Sequence, residues 1–220
     1  MVYTSYKTLV QVLVSGSFVN IADISAVNGP MASRTVIPIN RMDSPAPWTE
    51  SMPGLLEYNN IDVTAFLSFD PTQSSLLGYL TSGTPNTYRL SESDFNTRQV
   101  VFTANVSDVL TTATHGITTG TPVKFTSTGT LPAGLAANYV YYLSATSTTT
   151  LEVHLSNADA VAGTNVLDIT SAGTGTHTLN LPHSYILPTA YVLNFSPTTG
   201  QDTALGVSFT ISSTGPITNG

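Results

Sequence analysis

The chain has no cysteine and very few charged side chains. Its 220 residues include 6 Lys and Arg and 13 Asp and Glu, together 9% of the sequence, against about a quarter in an average domain. Without cysteine the chain can form neither a disulfide bond nor a thiolate metal site. The formal net charge of −7 argues against sequence-independent binding of nucleic acid, which needs Lys and Arg to contact phosphates.

Long apolar runs are missing as well. The sequence contains no stretch of about 18 apolar residues that could cross a membrane as a helix. Its first ten residues, MVYTSYKTLV, lack the apolar core of a secretory signal. We therefore expect no membrane insertion and a soluble protein made in the cytoplasm.

Motifs typical of catalytic, metal-binding or phosphate-binding sites are missing as well. The four histidines, His115, His154, His177 and His183, fit no zinc-binding spacing on a helix, and we expect them on the surface or in turns. There is no Gly-x-Ser-x-Gly nucleophile motif, and the acidic residues are too dispersed for a calcium loop. The Gly-rich run at 171–176 lacks the Lys of a phosphate-binding loop. The sequence therefore predicts no catalytic residue, no cofactor and no metal site.

The sequence is rich in residues that favour turns and β-strands, in place of the charged residues that it lacks. The clearest local pattern begins at Ile61–Phe69, where apolar and polar residues alternate as in a half-buried strand. Asp70 then stands where a helix N-cap belongs, Pro71 follows at the first helical position, and Gln73 can reach back to the helix start. Gly83 can end the helix in the left-handed conformation. The pattern predicts a strand followed by one capped helix.

The predicted helix carries a short apolar stripe. Leu76, Leu77 and Leu80 lie within one or two turns of each other, and we expect all three to turn inward and pack against the sheet.

A long segment before this strand, residues 25–59, shows no sustained periodicity. Segments of this length inside a domain are uncommon and tend to be functional. This one contains the only Trp of the chain, and an aromatic side chain with paired charges is typical of interfaces. The candidate inter-subunit contacts are Arg34, Arg41, Asp43, Trp48 and Glu50. The alternative interpretation is a surface excursion without a role.

The composition and the strand pattern change in the second half of the chain and then return to those of the first half. From about residue 100 it is rich in Thr and Gly, with short strand patterns at 123–126, 139–145 and 151–156. From Tyr185 onwards, longer alternating strands return. We therefore predict a discontinuous β domain, 1–99 and 182–220, with a small β domain, 100–181, inserted in a loop.

The order of these segments resembles the major tail tube protein of long, non-contractile-tailed bacteriophages. The resemblance rests on the order of FVNIADISAVNGP, the long segment that follows it, MPGLLEYNNIDVTAFLSFD, the helix PTQSSLLGYLTSG and NTYRL. The closing segment 185–218 is similar to the last hairpin of that family. The insert is similar to a Thr/Gly-rich module of various phage tail proteins, through Thr114–Gly116 and Thr130–Leu135.

The resemblance implies a mainly β fold: a tail-tube-type β-sandwich or barrel with one flanking α-helix, plus the small all-β domain inserted in a loop. It implies a structural virion protein rather than an enzyme. Copies made in the host cytoplasm would assemble into hexameric rings that stack into a hollow tail tube. Implied partners are other copies, the tape measure protein, and the tail terminator and tail tip proteins. DNA would pass through the lumen without specific binding, and the insert would project outward.

Two other functions remain open from the sequence. One is a different tail component, such as a terminator, fibre or baseplate protein. The other is a carbohydrate-binding adhesion protein, for which Tyr139, Tyr141 and Tyr142 would supply an aromatic patch.

Overall fold

The computed structural model describes residues 8–29, 32–39, 50–58, 60–68, 70–198 and 205–219. Over these residues the protein is mainly β. The helices are α1 (Pro71–Ser82) and α2 (Asn157–Ala162). The strands are β1 (Leu9–Val14), β2 (Ser17–Asn20), β3 (Ile24–Asn28), β4 (Ala32–Ile39), β5 (Glu50–Tyr58), β6 (Ile61–Phe66), β7 (Asn86–Ser91), β8 (Arg98–Ala104), β9 (Val109–Thr112), β10 (Thr121–Ser127), β11 (Tyr141–Ala145), β12 (Thr150–His154), β13 (His177–Leu181), β14 (Ser184–Thr198), β15 (Gly206–Ser213) and β16 (Thr218–Asn219).

An eight-stranded antiparallel sheet forms the larger part of the fold. Its order is β2-β1-β7-β14-β15-β6-β3, and β16 pairs with the beginning of β14. The long strand β14 joins the two halves, because it pairs first with β7 and then with β15. Pro188 lies at a shift of register between Leu187 and Ala190, a position where its missing N–H removes no ladder hydrogen bond.

Strand β6 follows the predicted alternation. Ile61, Val63 and Ala65 are buried, and the residues between them are exposed. The strand ends at Phe66, earlier than the alternation suggested, and Phe69 lies outside the described residues.

Helix α1 begins and ends where the sequence predicts. The Asp70 carboxylate accepts a hydrogen bond from the backbone N–H of Thr72 at 2.8 Å, Pro71 is the first helical residue, and Gly83 closes the helix at φ 62°. The cap satisfies one of the donors that a helix start leaves unpaired. The helix packs against β14.

The prediction that Leu76, Leu77 and Leu80 all turn inward is wrong for Leu77. Leu76 is fully buried and Leu80 packs partly buried against the core, whereas Leu77 is 48% exposed. Successive helical residues are about 100° apart, so Leu77 points away from the face that Leu76 buries. The inward face instead includes Gln73.

The sequence predicts that the Gln73 side chain caps the helix start, but this side chain bonds backbone groups outside the helix instead. The side chain is buried and donates to the carbonyl oxygens of Ala22, at 3.0 Å, and Phe66, at 2.9 Å. It also accepts from the backbone N–H of Ser68 at 3.0 Å. The amide thus satisfies backbone groups at the end of β6 and in the turn before β3.

The Thr/Gly-rich part of the chain forms a closed six-stranded barrel with the order β10-β11-β12-β9-β8-β13. Its interior is apolar and fully buried at Phe125, Leu143, Leu151 and Leu179. The short helix α2, which the sequence analysis did not predict, packs against β11 and β12. The barrel begins slightly before residue 100, because Arg98 of β8 already pairs with Leu181 of β13.

The barrel lies in the connection between two neighbouring strands of the main sheet. Ser91 at the end of β7 is paired with Ser184 at the beginning of β14. The chain therefore leaves the main sheet and returns to it at adjacent positions. This geometry allows a closed β structure to sit in a hairpin connection without disturbing the register of the sheet.

Leu76 and Leu77 form a matched pair for testing the helix packing. We expect Leu76→Ala to lower the free energy of unfolding by about 3 kcal/mol, because it leaves a cavity under the helix. Leu77→Ala should change it by less than about 1 kcal/mol, because that side chain is half exposed. Urea unfolding followed by circular dichroism measures both values. Equal losses would contradict the assignment of the buried face.

Candidate assembly surfaces

Most of the described residues of the segment 25–59, which was expected to lack periodicity, form a two-stranded antiparallel sheet, β4 with β5, which we call the arm. Residues 25–28 belong instead to β3. The residues of the arm pair from Ala32↔Tyr58 to Ile39↔Glu50, with a shift of register between Arg34 and Val36. Pro38 lies in β4 and Pro53 in β5. Proline and a bulge are tolerated in strands that have a free edge, but they interrupt the alternation that identifies a strand in the sequence.

Both faces of the arm carry exposed apolar side chains. Val36 is 70% and Ile37 47% exposed, and neighbouring residues of a strand point to opposite faces. Leu55 is 80% and Met52 48% exposed. In the described part of the chain, β4 and β5 pair only with each other. An isolated two-stranded hairpin is only marginally stable in water, so this one is suited to being covered by another molecule.

Of the five predicted contact residues, the structure describes the side chain of one. Arg34 is exposed on the arm and donates to the carbonyl oxygen of Gly54 at 3.3 Å. Glu50 is the first residue of β5, but its side chain is not described. Arg41, Asp43 and Trp48 lie outside the described residues.

The two edges of the main sheet differ. At one end, β3 pairs with β6 and with no other strand in the described ranges, so its outer edge is open. At the other end, the barrel covers β2. The backbone N–H of Phe18 donates to the carbonyl of Thr119 at 2.9 Å, and the backbone N–H of Asn20 donates to the side chain of Asn157 at 2.9 Å. The barrel therefore satisfies edge groups that would otherwise be free to pair with another strand.

The contact between barrel and sheet centres on Gly120, and we call it the junction. The carbonyl oxygen of Gly120 accepts from Gln11 Nε2 at 2.9 Å, from Asn157 Nδ2 at 3.1 Å and from Arg89 Nη2 at 3.2 Å. Gly120 has φ +86°, and a Cβ there would lie 2.0 Å from the carbonyl oxygen of Phe18. Only glycine combines this conformation with so close an approach of two backbones.

The side chains of the junction are polar and buried. Gln11 is 0% and Arg89 5% exposed. Arg89 donates from Nε to Gln11 at 2.8 Å and from Nη1 to the Thr121 hydroxyl at 2.8 Å, and its guanidinium stacks on the Phe18 ring at 4.0 Å. Because a buried polar group is costly without its partner, these bonds hold the barrel in one orientation on the sheet.

The local sequence does not predict the junction. Arg89, Gln11 and Asn157 are isolated polar residues separated by up to 146 positions, and no local pattern connects them. The sequence offers one indication of a buried polar contact, which is the charged Arg89 between the apolar Tyr88 and Leu90. Both neighbours are buried in the structure.

Three of the four histidines are buried. His154 and His177 lie in strands, contrary to the prediction, whereas His115 lies in a turn, as the prediction allows. His115, His154 and His177 are 2%, 0% and 6% exposed. Each bonds a backbone carbonyl of the barrel: Ser147 at 3.0 Å for His115 Nε2, Thr164 at 2.8 Å for His154 Nδ1, and Ala172 at 3.0 Å for His177 Nε2. They are structural residues that tie loops to strands.

The two short motifs of the insert, Thr114–Gly116 and Thr130–Leu135, also have structural roles. His115 Nδ1 accepts from the backbone N–H of Ile117 at 2.9 Å, and Gly116 has φ +58°. In the second motif, a Cβ at Gly134 would lie 2.3 Å from the carbonyl oxygen of Asp168. Both motifs therefore specify tight turns of the barrel.

The three tyrosines considered for carbohydrate binding do not form one exposed platform. Tyr141 is buried, and Tyr142 is half-buried with its hydroxyl accepting from Asn20 Nδ2 at 3.3 Å. Tyr139 alone of the three is half exposed, and its ring lies 4.9 Å from that of Tyr141. The arrangement is that of sheet and loop packing.

Shifted pKa values among the described residues have structural causes. Burial, followed by the nearby Tyr79, raises the pKa of Tyr88 far above its ordinary value. Burial, followed by Glu92, raises the pKa of Tyr185. Hydrogen bonds, first from Ser156, lower the pKa of Asp159.

The described part of the chain holds neither a cluster of metal-ligating side chains nor a membrane-spanning helix. Within those ranges, no group of three His, Asp or Glu side chains is placed to share a metal ion. Neither of the described helices is long and apolar enough to cross a membrane.

Comparison with known proteins finds no matching protein-family model and no matching curated protein. The solved structures that are similar in chain course include two gene transfer agent particles. One is the tail of an empty gene transfer agent particle with C6 symmetry, at 9% identity and TM-score 0.49, covering 96% of this chain and 93% of that chain. The other is the virion of a native gene transfer agent particle, at 8% identity and TM-score 0.49, covering 97% and 95%. Similarity at this level assigns neither a family nor a function.

The junction can be tested by adding one methyl group to Gly120. We expect Gly120→Ala to lower the free energy of unfolding by at least about 3 kcal/mol, because it combines backbone strain with a clash. Gly83→Ala is the matched control, since Gly83 also has positive φ but nothing within 4 Å of an added Cβ. It should cost about 1 kcal/mol, from conformation alone. Urea unfolding measures both, and equal costs would show that the approach at Phe18 is not tight.

Proposed function

We propose that this protein is a structural subunit of a phage tail, and specifically of a tail tube. In this proposal the subunits assemble into six-membered rings that stack around a lumen through which DNA passes. The observation that carries the proposal is the arm, a hairpin with apolar side chains on both faces and no covering strand among the described residues. The segment order described above, with its resemblance to tail tube proteins, supports the same function.

The arm gives a physical reason for self-association. Fully burying a Val, Leu, Ile or Met side chain stabilises by about 1.5–3 kcal/mol. Val36, Ile37, Met52 and Leu55 are each 47–80% exposed in the single chain. Covering them against a neighbouring subunit or ring would supply several such contributions for each copy, and a tube repeats that contact around and along its axis.

The asymmetry of the sheet edges favours a ring. The open edge of β3 can meet a neighbour, whereas the barrel covers the edge of β2. A contact between two different surfaces is head-to-tail, and a head-to-tail contact closes into a ring or continues as a helix. Ring closure also removes the aggregation hazard of an open edge.

We further propose that the chain consists of a discontinuous tube domain, 1–97 and 182–220, and an inserted domain on the outside of the tube, 98–181, whose start the pairing of Arg98 with Leu181 moves forward from residue 100. The pairing of Ser91 with Ser184 supports this division, because the sheet keeps its register across the insertion point. The junction would hold the inserted domain at one angle in every subunit. Other copies, the tape measure protein, and the tail terminator and tip proteins are the partners expected in the virion.

A charge on the arm should block assembly without unfolding the subunit. We expect Leu55→Asp to abolish tubes at concentrations where the wild-type chain forms them, because a carboxylate would have to be buried in the contact. The thermal midpoint of the unassembled subunit should stay unchanged, since Leu55 is 80% exposed. Negative-stain electron microscopy and sedimentation velocity measure assembly.

Val101→Asp is the matched control, because Val101 is 60% exposed on the barrel. It should leave tubes intact if the barrel projects outward. Tubes formed by Leu55→Asp, or a wild-type chain that stays monomeric at high concentration, would contradict the proposed function. Loss of tubes in Val101→Asp alone would contradict the outward position of the barrel.

A further inference from the structure

The arm continues the edge pair of the main sheet, β3 with β6. In that pair Asn28 lies opposite Asp62, and the next described pair towards the arm is Ala32 opposite Tyr58. The step from one pair to the next is four residues on both strands, from 28 to 32 and from 62 to 58. The pairing therefore keeps one register from the sheet into the arm. The arm leaves the sheet as an extension of this edge hairpin, at the end where Asn28 and Asp62 lie.

The opposite end of the same hairpin exposes apolar side chains. Phe66, the last residue of β6, is 51% exposed, and Leu205 is 43% exposed. The two are neighbours, because Phe66 pairs with Gly206, the residue after Leu205. The backbone N–H of Phe66 donates to the carbonyl of Asp23 at 2.9 Å, and Asp23 is exposed. We call Asp23, Phe66 and Leu205 the end patch.

The arm and the end patch of one chain lie far apart. Leu55 and Phe66 are eleven residues apart, which corresponds to roughly 35 Å along an extended chain at about 3.3 Å per residue. Among the described elements, none packs closely against β4 or β5 apart from each other, so the arm does not fold back over the sheet. An arm that covers the end patch therefore belongs to a second copy of the chain.

The two surfaces match in chemistry. The arm exposes apolar side chains of Val36, Ile37, Met52 and Leu55, and the end patch exposes an aromatic ring and a Leu. Arg34 is exposed on the arm, and the acidic Glu57 belongs to the adjacent pair of residues, which faces the other side of the hairpin. The segments 21–26, 64–70 and 205–209, which meet at the end patch, contain two Asp and no Lys or Arg. The face of the arm that carries Arg34 is therefore complementary in charge to the end patch.

We propose that the end patch is the docking site for the arm of another copy, in the next ring of the tube. This inference rests on the proposed function. A contact between opposite ends of a subunit is head-to-tail, and it repeats along an axis. The open edge of β3 stays available for neighbours within a ring. The two surfaces thus serve the two directions in which a tube is built.

Cross-linking between introduced cysteines tests the docking site, because the chain has no cysteine of its own. Tubes of the double variant Leu55→Cys with Phe66→Cys are treated with a short bismaleimide and analysed on a denaturing gel. We expect a ladder of covalent oligomers from the tubes and single chains from the unassembled subunit. The control is Leu55→Cys with Val101→Cys, since Val101 is 60% exposed on the barrel. It should give no ladder.

The variant Phe66→Asp tests the same site by assembly. We expect a folded subunit with an unchanged thermal midpoint that forms single rings but no tubes, because the carboxylate would have to be buried between rings. Negative-stain electron microscopy and sedimentation velocity measure both states. Phe66→Leu is the matched control, since it keeps an apolar side chain, and it should form tubes.

The proposal is overturned if tubes form but the double variant with Phe66→Cys cross-links no more than the Val101 control. Tubes of normal length in Phe66→Asp would also overturn it, and both results would leave the proposed tube in place. Loss of rings as well as tubes in folded Phe66→Asp would assign the end patch to the contact within a ring and contradict the docking of the arm. A wild-type chain that forms no tubes contradicts the proposed function and this contact together.

Discussion

At the junction, a single backbone carbonyl accepts hydrogen bonds from three side chains that belong to distant parts of the chain. The carbonyl of Gly120 receives Gln11 and Arg89 from the main sheet and Asn157 from the barrel. The contact requires a residue without Cβ, because the backbone of Phe18 passes too close for any other. The orientation of the barrel on the main sheet depends on these hydrogen bonds to the Gly120 carbonyl.

A junction of this kind differs from an inserted module on a flexible tether. Loop connections alone would let the barrel swing, whereas buried hydrogen bonds lose their energy as soon as the geometry changes. The same contact covers one edge of the main sheet and leaves the edge of β3 open. The barrel therefore makes the two edges of the main sheet different.

The arm and the open edge share a physical property: each is incomplete within one chain. The arm exposes apolar groups on both faces, and the edge of β3 leaves backbone donors and acceptors without a strand partner among the described residues. A repeating assembly, as proposed here, would satisfy both needs with copies of the same molecule. The low number of charged residues is compatible with a surface that is extensively covered in such an assembly.

Local sequence determined the mainly β character, the alternation of β6 and both ends of α1, because periodicity and caps act within a few residues. It misassigned Leu77, whose position depends on which face the helix presents. It also missed the pairing of β4 with β5, because Pro38 and Pro53 interrupt the alternation. Only the tertiary structure decided that three histidines are buried and that Arg89 meets Gly120, because the burial of polar residues depends on partners far away in the sequence.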